Sequence, residues 1–148
     1  MQIHHNALIL VADGQRCRFL RNQGSFTEPR LVVEGEREHI SAPTHRLGTD
    51  QPGRAFSSVG SIRSAVEQTD FHQIEKDRFA AKAAEMLNRR ARGKDFEELI
   101  VVAPPGTLAE LRANYDREVS ARLVAEIDKD LTNHDIGQIT AILVDRER

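Results

Sequence analysis

The chain has 148 residues, which suits one domain and does not require a second. Hydrophobic residues make up 39% and charged residues 30%, a composition typical of a folded protein and not of a disordered chain. The 21 basic and 23 acidic residues give a net charge of −2, which excludes a strong overall attraction to nucleic acid or membranes. A contact with a polyanion would therefore use a local basic patch.

The cysteine content and the apolar runs bear on the compartment of the protein. Cys17 is the only cysteine, which excludes an intramolecular disulfide and a cysteine-rich metal site. It lies in an apolar stretch, so we expect a buried and unreactive thiol. Residues 1–6 lack the pattern of a signal peptide, and no run approaches the roughly 20 apolar residues of a membrane span. We expect a cytoplasmic protein.

The first forty residues predict three strands. Ala7–Ala12 is a continuous apolar run, typical of a strand covered on both faces. Asp13-Gly14 then predicts a tight hairpin turn, in which the glycine would take the positive φ of a primed turn. Arg16–Arg21 alternates polar and apolar residues, and Arg30–Arg37 reads as a third strand. These strands predict an opening antiparallel meander.

Residues 39–68 form a long polar loop in our prediction. The stretch is rich in Gly, Pro, Ser, Thr and Arg and has no sustained period. Loops of this length inside a compact domain are usually functional or disordered. A short helix over Ser61–Glu67 is compatible with the pattern.

The next segments predict a helix and a buried strand. Asp70, with Gln73 three residues later, is typical of a capped helix start, and the helix is expected to reach Arg92 before a Gly93 C-cap. Phe96–Ala103 reads as another buried strand.

The last third of the chain contains one ambiguous stretch. Thr107 and Glu110 form a capping-box pattern at the start of a helix. Val119–Leu131 fits a helix by one set of apolar residues and a strand by another. A final helix follows Asn133–Asp135, with Ile136, Ile139 and Leu143 on one face.

If the ambiguous stretch is extended, the order is β-β-β-α-β-α-β-α. We therefore predict one α/β domain over residues 1–148, with a mixed sheet and helices on both faces, as in ribonuclease-H-like folds.

Catalytic and cofactor motifs are incomplete. A two-metal nuclease needs clustered carboxylates, for which Asp13 and Asp130 (with Asp128 near the latter) are the available candidates. The strand ending at Ala103 is followed by Pro104-Pro105 and no acid, so we predict no metal site. The six histidines show no metal spacing, and neither a serine nucleophile elbow nor a phosphate-binding glycine loop is present. No cofactor is predicted.

The basic residues of the loop are the better candidates for function. Arg46, Arg54 and Arg63, with His45 beside them, outnumber the acids of residues 39–66. Arginine suits phosphate because its planar fork can donate two hydrogen bonds at once. The loop would contact RNA phosphates or an acidic protein face, unless it is only a solvated loop.

Five segments, in order along nearly the whole chain, also resemble a known family. They are Val11–Leu20, Gly48–Arg54, Thr69–His72, Val101–Leu108 and Glu126–Thr132. On these motifs the sequence resembles the bacterial host attachment protein family, whose name records a proposed requirement for attachment to host cells. That name describes a phenotype and not a molecular activity.

The family is in turn distantly similar to the central domain of archaeal and eukaryotic peptide-chain release factors and Pelota. This resemblance implies a ribonuclease-H-like topology and favours the extended form of Leu123–Asp130. In release factors the loop carries a Gly-Gly-Gln motif that promotes peptidyl-tRNA hydrolysis. Here the corresponding Ser57–Ser64 has no Gly-Gly-Gln, so the resemblance does not carry over peptide release.

We therefore predict a non-catalytic, release-factor-like binding protein whose loop contacts RNA, on the ribosome or tRNA. The first alternative is a factor required for attachment that acts through an unknown protein partner. The second is a metal-dependent nuclease using Asp13 and Asp130. The sequence does not indicate the oligomeric state.

Overall fold

The computed structural model describes residues 1–38 and 58–145, and the described side chains of the long helix begin at His72. An opening run of three strands is followed by helices and strands in turn, except that two helices follow the fourth strand. The elements are β1 (Leu8–Ala12), β2 (Arg16–Asn22), β3 (Leu31–Glu38), α1 (Ser58–Arg92), β4 (Leu99–Ala103), α2 (Pro105–Asn114), α3 (Arg117–Arg122), β5 (Leu123–Asp128) and α4 (Ile136–Asp145).

The five strands form one mixed sheet in the order β3-β2-β1-β4-β5. β1 pairs antiparallel with β2, and β2 pairs antiparallel with β3. β1 pairs in parallel with β4, and β4 pairs in parallel with β5. The predicted α/β class with a mixed sheet is therefore confirmed, while the finer likeness to ribonuclease-H-like folds stays a prediction.

Helices cover both faces of the sheet, and alternate residues of the central strands point to opposite faces. On one face, Leu8 and Leu10 pack with Leu99, Val101 and the buried residues of α1, α2 and α3. On the other face, the buried residues of α4 pack against the remaining side chains of the same strands. Because β1 and β4 are buried on both faces, their sequences are continuous apolar runs.

The long helix differs from the prediction at its start. α1 is 35 residues long and begins at Ser58, so residues 58–68 are helical and not part of a loop. Asp70 lies inside the helix, and Gln73 donates a hydrogen bond to Asp77 Oδ1 at 3.0 Å instead of capping a helix end. The predicted short helix Ser61–Glu67 is one section of α1. A single interior glycine, Gly60, costs only about 1 kcal/mol in a helix and does not break it.

The ambiguous stretch contains both a helix and a strand. α3 adds a helix that the predicted order lacked, and Asp116 caps it by accepting a hydrogen bond from Val119 N at 3.1 Å. β5 follows at once, as the extended alternative required. Periodicity failed here because a six-residue helix and a six-residue strand meet without a turn signal between them.

Two predicted caps are also corrected. α2 begins at Pro105 and not at Thr107, and no side chain caps it. Proline suits this first helical position because its φ is preset and its missing N–H would be unpaired anyway. α1 ends at Arg92 as predicted, but the left-handed residue beyond it is Lys94, with φ 58°, and not Gly93.

Within the described residues, none of the helices is long and apolar enough to cross a membrane.

Candidate functional site at the carboxyl ends of the parallel strands

The parallel strands β1, β4 and β5 end at the same edge of the sheet. The chain leaves β4 for helices on one face and leaves β5 for α4 on the opposite face. The two connections therefore diverge between these strands, which is where open α/β sheets usually bind ligands. A cleft of about 420 Å³ opens at this edge.

Residues from four parts of the fold line the cleft. The turn after β1, one side of α1, the start of α2 and the segment after β5 all contribute. The lining residues are Asp13, Gly14, Gln15, Gln73, Lys76, Asp77, Ala80, Pro104, Gly106, Thr107, Glu110 and Asp130. Four of them are carboxylic acids and one is a lysine, so the cleft is acidic and repels phosphate.

Asp13 has a structural role in the turn after β1. Its Oδ1 accepts hydrogen bonds from the backbone N–H groups of Gln15 and Arg16, both at 2.7 Å. The Asp13 N–H in turn donates to the Arg16 carbonyl at 2.9 Å. The carboxylate thus closes the turn in the way that favours Asp at such positions.

Gly14 does not take the positive φ that we predicted, since no described glycine has one. The turn needs a glycine for a different reason. A Cβ at this position would lie 2.7 Å from Cγ of Lys76, so the stem of Lys76 packs directly on the turn. The hairpin and α1 therefore approach each other more closely than a larger residue would allow.

Thr132 brings together the two acids that the sequence singled out. Its Oγ1 lies 2.8 Å from Asp13 Oδ2 and 2.8 Å from Asp130 Oδ1. Thr132 is only 4% exposed, and its backbone N–H also donates to Asp130 Oδ1 at 3.2 Å. Sequence reasoning missed this residue because a threonine in a turn carries no signal of a contact with a distant hairpin.

The arrangement does not resemble a two-metal centre. Asp13 already accepts three hydrogen bonds through its two oxygens. Across the described residues, no group of three or more His, Cys, Asp or Glu side chains is placed to hold a metal ion. The contacts of Asp13 and Asp130 instead tie the hairpin turn to the segment after β5.

The predicted RNA-contacting residues are Arg46, Arg54, Arg63 and His45. Arg46, Arg54 and His45 fall outside the described residues. Arg63 lies in the first part of α1, before the described side chains begin. β3 ends at Glu38, whose Cα partner in β2 is Arg16.

Together, the fold and the cleft define a mixed-sheet α/β protein with an acidic crevice at the carboxyl ends of its parallel strands. A family model described as bacterial archaeo-eukaryotic release factor family 12 matches residues 6–143. This chain belongs to that family. The family is named for release factors, so the attachment role suggested by the sequence stays a prediction.

Among solved structures, the chain is similar to the crystal structure of an archaeal translation termination factor, aRF1. The two are 13% identical with a TM-score of 0.47, and the match covers 93% of this chain and 39% of that protein. The chain therefore spans less than half the length of that factor. A comparison with curated proteins gave no match.

Proposed function

We propose that this family member is a ribosome-associated RNA-binding protein that does not release peptide. The observation that carries the proposal is the family match over residues 6–143, which relates the whole described fold to release factors. The partner would be ribosomal RNA or tRNA.

The charge distribution supports an RNA contact outside the cleft. Four acids against one lysine make the cleft a poor phosphate site. We assign the phosphate contacts to Arg46, Arg54 and Arg63, with His45 beside them. They lie on the segment that joins β3 to α1 and on the first part of α1 itself.

The remainder of α1 continues this basic character. Between residue 72 and the end of α1 at Arg92, six basic residues stand against three acidic ones. They are Lys76, Arg78, Lys82, Arg89, Arg90 and Arg92, against Glu75, Asp77 and Glu85. A long helix with an excess of arginine and lysine suits the backbone of RNA, because phosphate contacts supply most of the sequence-independent affinity.

The absence of peptide release is proposed from the sequence. No Gly-Gly-Gln occurs in the 148 residues, and the region that would correspond to it reads Ser57–Ser64. From Ser58 onward this region belongs to α1. The protein would then bind where a release factor binds without promoting hydrolysis of peptidyl-tRNA.

Co-sedimentation with ribosomes over a range of salt concentrations tests the proposal. The wild-type protein should sediment with ribosomes at low salt and be released as salt rises. Replacing Arg46, Arg54 and Arg63 by alanine should weaken binding and reduce the slope of log K against log salt by about 2 to 3, since each phosphate contact contributes about 0.7 to 0.9.

A matched variant controls for the loss of three positive charges. Arg30, Arg117 and Lys129 are exposed residues on other parts of the molecule, and their replacement by alanine should leave binding unchanged. Equal loss in both triple variants, or no sedimentation of the wild type at low salt, would contradict the proposal. Release of labelled peptide from peptidyl-tRNA by the wild type would contradict its non-catalytic part.

A further inference from the structure

A groove of about 310 Å³ lies between β3 and the carboxyl-terminal half of α1, on the face of the sheet that α1 covers. Phe19 and Gly35 lie on the sheet side of the groove, and Met86 lies on the helix side. The other lining residues are Glu34, Arg37, Arg89 and Arg90. The groove is separate from the acidic cleft and shares no lining residue with it.

Gly35 lies within β3, opposite Phe19, at the register shift between Phe19 and Leu20 in the pairing of β2 with β3. A Cβ at this position would meet nothing within 4 Å, and its φ is not positive. A glycine inside a strand often marks such an irregularity, and it also marks places where a ligand or another backbone approaches closely. Here the missing side chain leaves the groove open above the sheet.

Three arginines and one acid line the groove, so positive charge is in excess. The single acid, Glu34, accepts hydrogen bonds from both Arg21 and Arg90 and is fully engaged. Arg37 donates only to the neighbouring Glu36 carbonyl, at 3.3 Å, and has no ion pair with a described residue. Arg89 approaches Glu85 at 3.7 Å, where both side chains are more than 60% exposed and the interaction is weak. Among the described residues, neither the Arg37 guanidinium nor the Arg89 guanidinium has a close acidic partner.

Within residues 1–38 and 58–145, β3 is also an edge strand of eight residues. An edge strand offers unpaired backbone groups to which an extended peptide can add. Gly35 and Arg37 are two residues apart and face the same side of the sheet, since they pair with Phe19 and Cys17 of the core under α1. A strand added beside β3 would place alternate side chains next to these two positions.

We propose that this groove docks an extended segment of a protein partner that adds to the edge of β3. The segment carries an apolar side chain that enters the groove above Gly35 and an acidic side chain, two residues away, that pairs with Arg37. The groove shares Arg89 and Arg90 with the basic part of α1, but docking of the segment does not depend on RNA binding.

A protein segment fits the groove better than a nucleobase does. The ring of Phe19 is only 5% exposed, and the Arg90 guanidinium lies 5.1 Å from its centroid. The ring therefore offers no free face on which a base could stack, as single-stranded nucleic acid requires.

Selection of a phage-displayed library of random eight-residue peptides on the wild-type protein tests the proposal. The enriched peptides should carry an apolar and an acidic residue at alternate positions. A synthetic enriched peptide, followed by fluorescence anisotropy, should lose affinity by about tenfold or more in Gly35→Thr and in Arg37→Ala, the loss expected for one well-formed contact. Gly137→Thr and Arg117→Ala are the matched controls and should bind as the wild type does.

If Gly35→Thr is less stable than the wild type in thermal unfolding, its loss of binding is ambiguous. Exchanging the charges of residue 37 and of the peptide then tests the contact. Arg37→Glu should reject the enriched peptide and accept the same peptide with lysine in place of its acidic residue. The proposal is overturned if no peptide is enriched, or if Gly35→Thr and Arg37→Glu bind the enriched peptide unchanged. It is also overturned if an eight-nucleotide oligouridine binds the wild type and loses its binding in these groove variants.

Discussion

The hydroxyl of Thr132 lies 2.8 Å from Asp13 Oδ2, although the two residues are 119 positions apart in the sequence. The same hydroxyl lies 2.8 Å from Asp130 Oδ1. Because Thr132 is buried, this contact fixes the hairpin turn after β1 against the segment after β5. It gives Asp13 and Asp130 a role in holding these two segments together.

We expect Thr132→Val to destabilise the fold by about 1 to 3 kcal/mol, because the two carboxylates lose their shared donor while staying close together. Urea unfolding followed by circular dichroism measures the change. Thr140→Val is the matched control, since the Thr140 hydroxyl donates only to the Ile136 carbonyl within its own helix. A similar loss in both variants would show that the hydroxyl of Thr132 has no special role.

The ion pairs beside the groove predict a loss of stability at acid pH. Partial burial alone would raise the pKa of Glu34, but hydrogen bonds and charges from Arg21 and Arg90 outweigh it and hold that pKa below its ordinary value of 4.5. The pKa of Asp95 is lowered in the same way, from 3.8. A carboxyl whose pKa is lowered by folding stabilises the folded state above its unfolded pKa, and this contribution disappears as the pH falls through the folded pKa.

Wild-type protein should therefore lose more stability than Glu34→Gln as the pH falls from about 5 to 3, and the two should converge at the acid end. Urea midpoints measured across this range provide the test. Glu97→Gln changes an exposed carboxyl and should leave the profile parallel to that of the wild type. A constant difference between wild type and Glu34→Gln at every pH would exclude the ion pairs as its source.

Tyr115 carries a buried hydroxyl without a hydrogen-bond partner in the part of the chain that the structure describes. Burial, followed by the nearby Glu126 carboxylate, raises its pKa above the ordinary value of 10. We expect Tyr115→Phe to raise the free energy of unfolding by up to about 2 kcal/mol, because it removes an unpaired polar group from the core. As Tyr115 is the only tyrosine, its phenolate absorbance should appear only when alkaline pH unfolds the protein. Destabilisation by Tyr115→Phe would mean that the hydroxyl is bonded in solution.

Cys17 should be inert in the folded protein. Burial raises the pKa of its thiol to about 11, and its side chain is fully covered by the core under α1. Because only the thiolate reacts rapidly, a disulfide reagent at pH 8 should label the native protein far more slowly than the urea-unfolded protein. Equal rates would show that β2 opens readily in solution.

Sequence patterns predicted the central strands well because these strands are buried on both faces and their apolar runs have no other simple interpretation. The final helix was also predicted correctly, since Asp135 and Gln138 cap it reciprocally: each side chain accepts a hydrogen bond from the other residue's backbone N–H. Both signals are local, so they can be read without knowledge of the rest of the fold.

The sequence-based predictions were wrong where contacts with distant parts of the fold outweigh a local sequence pattern. Asp70 and Gln73 form a plausible helix start, yet the helix continues through them. Gly14 suits a primed turn, yet it is a glycine because Lys76 packs against it. The cleft and the groove depend on contacts between segments far apart in sequence, such as Asp13 with Thr132, and no local period encodes them.

The parallel pairing of β1 with β4 has a consequence for synthesis of the chain. Leu8 of β1 lies opposite Leu99 of β4. The central strand β1 therefore cannot pair with β4 until residue 99 has been synthesised. At a synthesis rate of about 5 to 20 residues per second, the nascent β1 stays without β4 for roughly 5 to 20 seconds. During that interval the apolar residues of β1 lack their β4 neighbours, so we expect chaperones that bind hydrophobic segments to recognise the nascent chain.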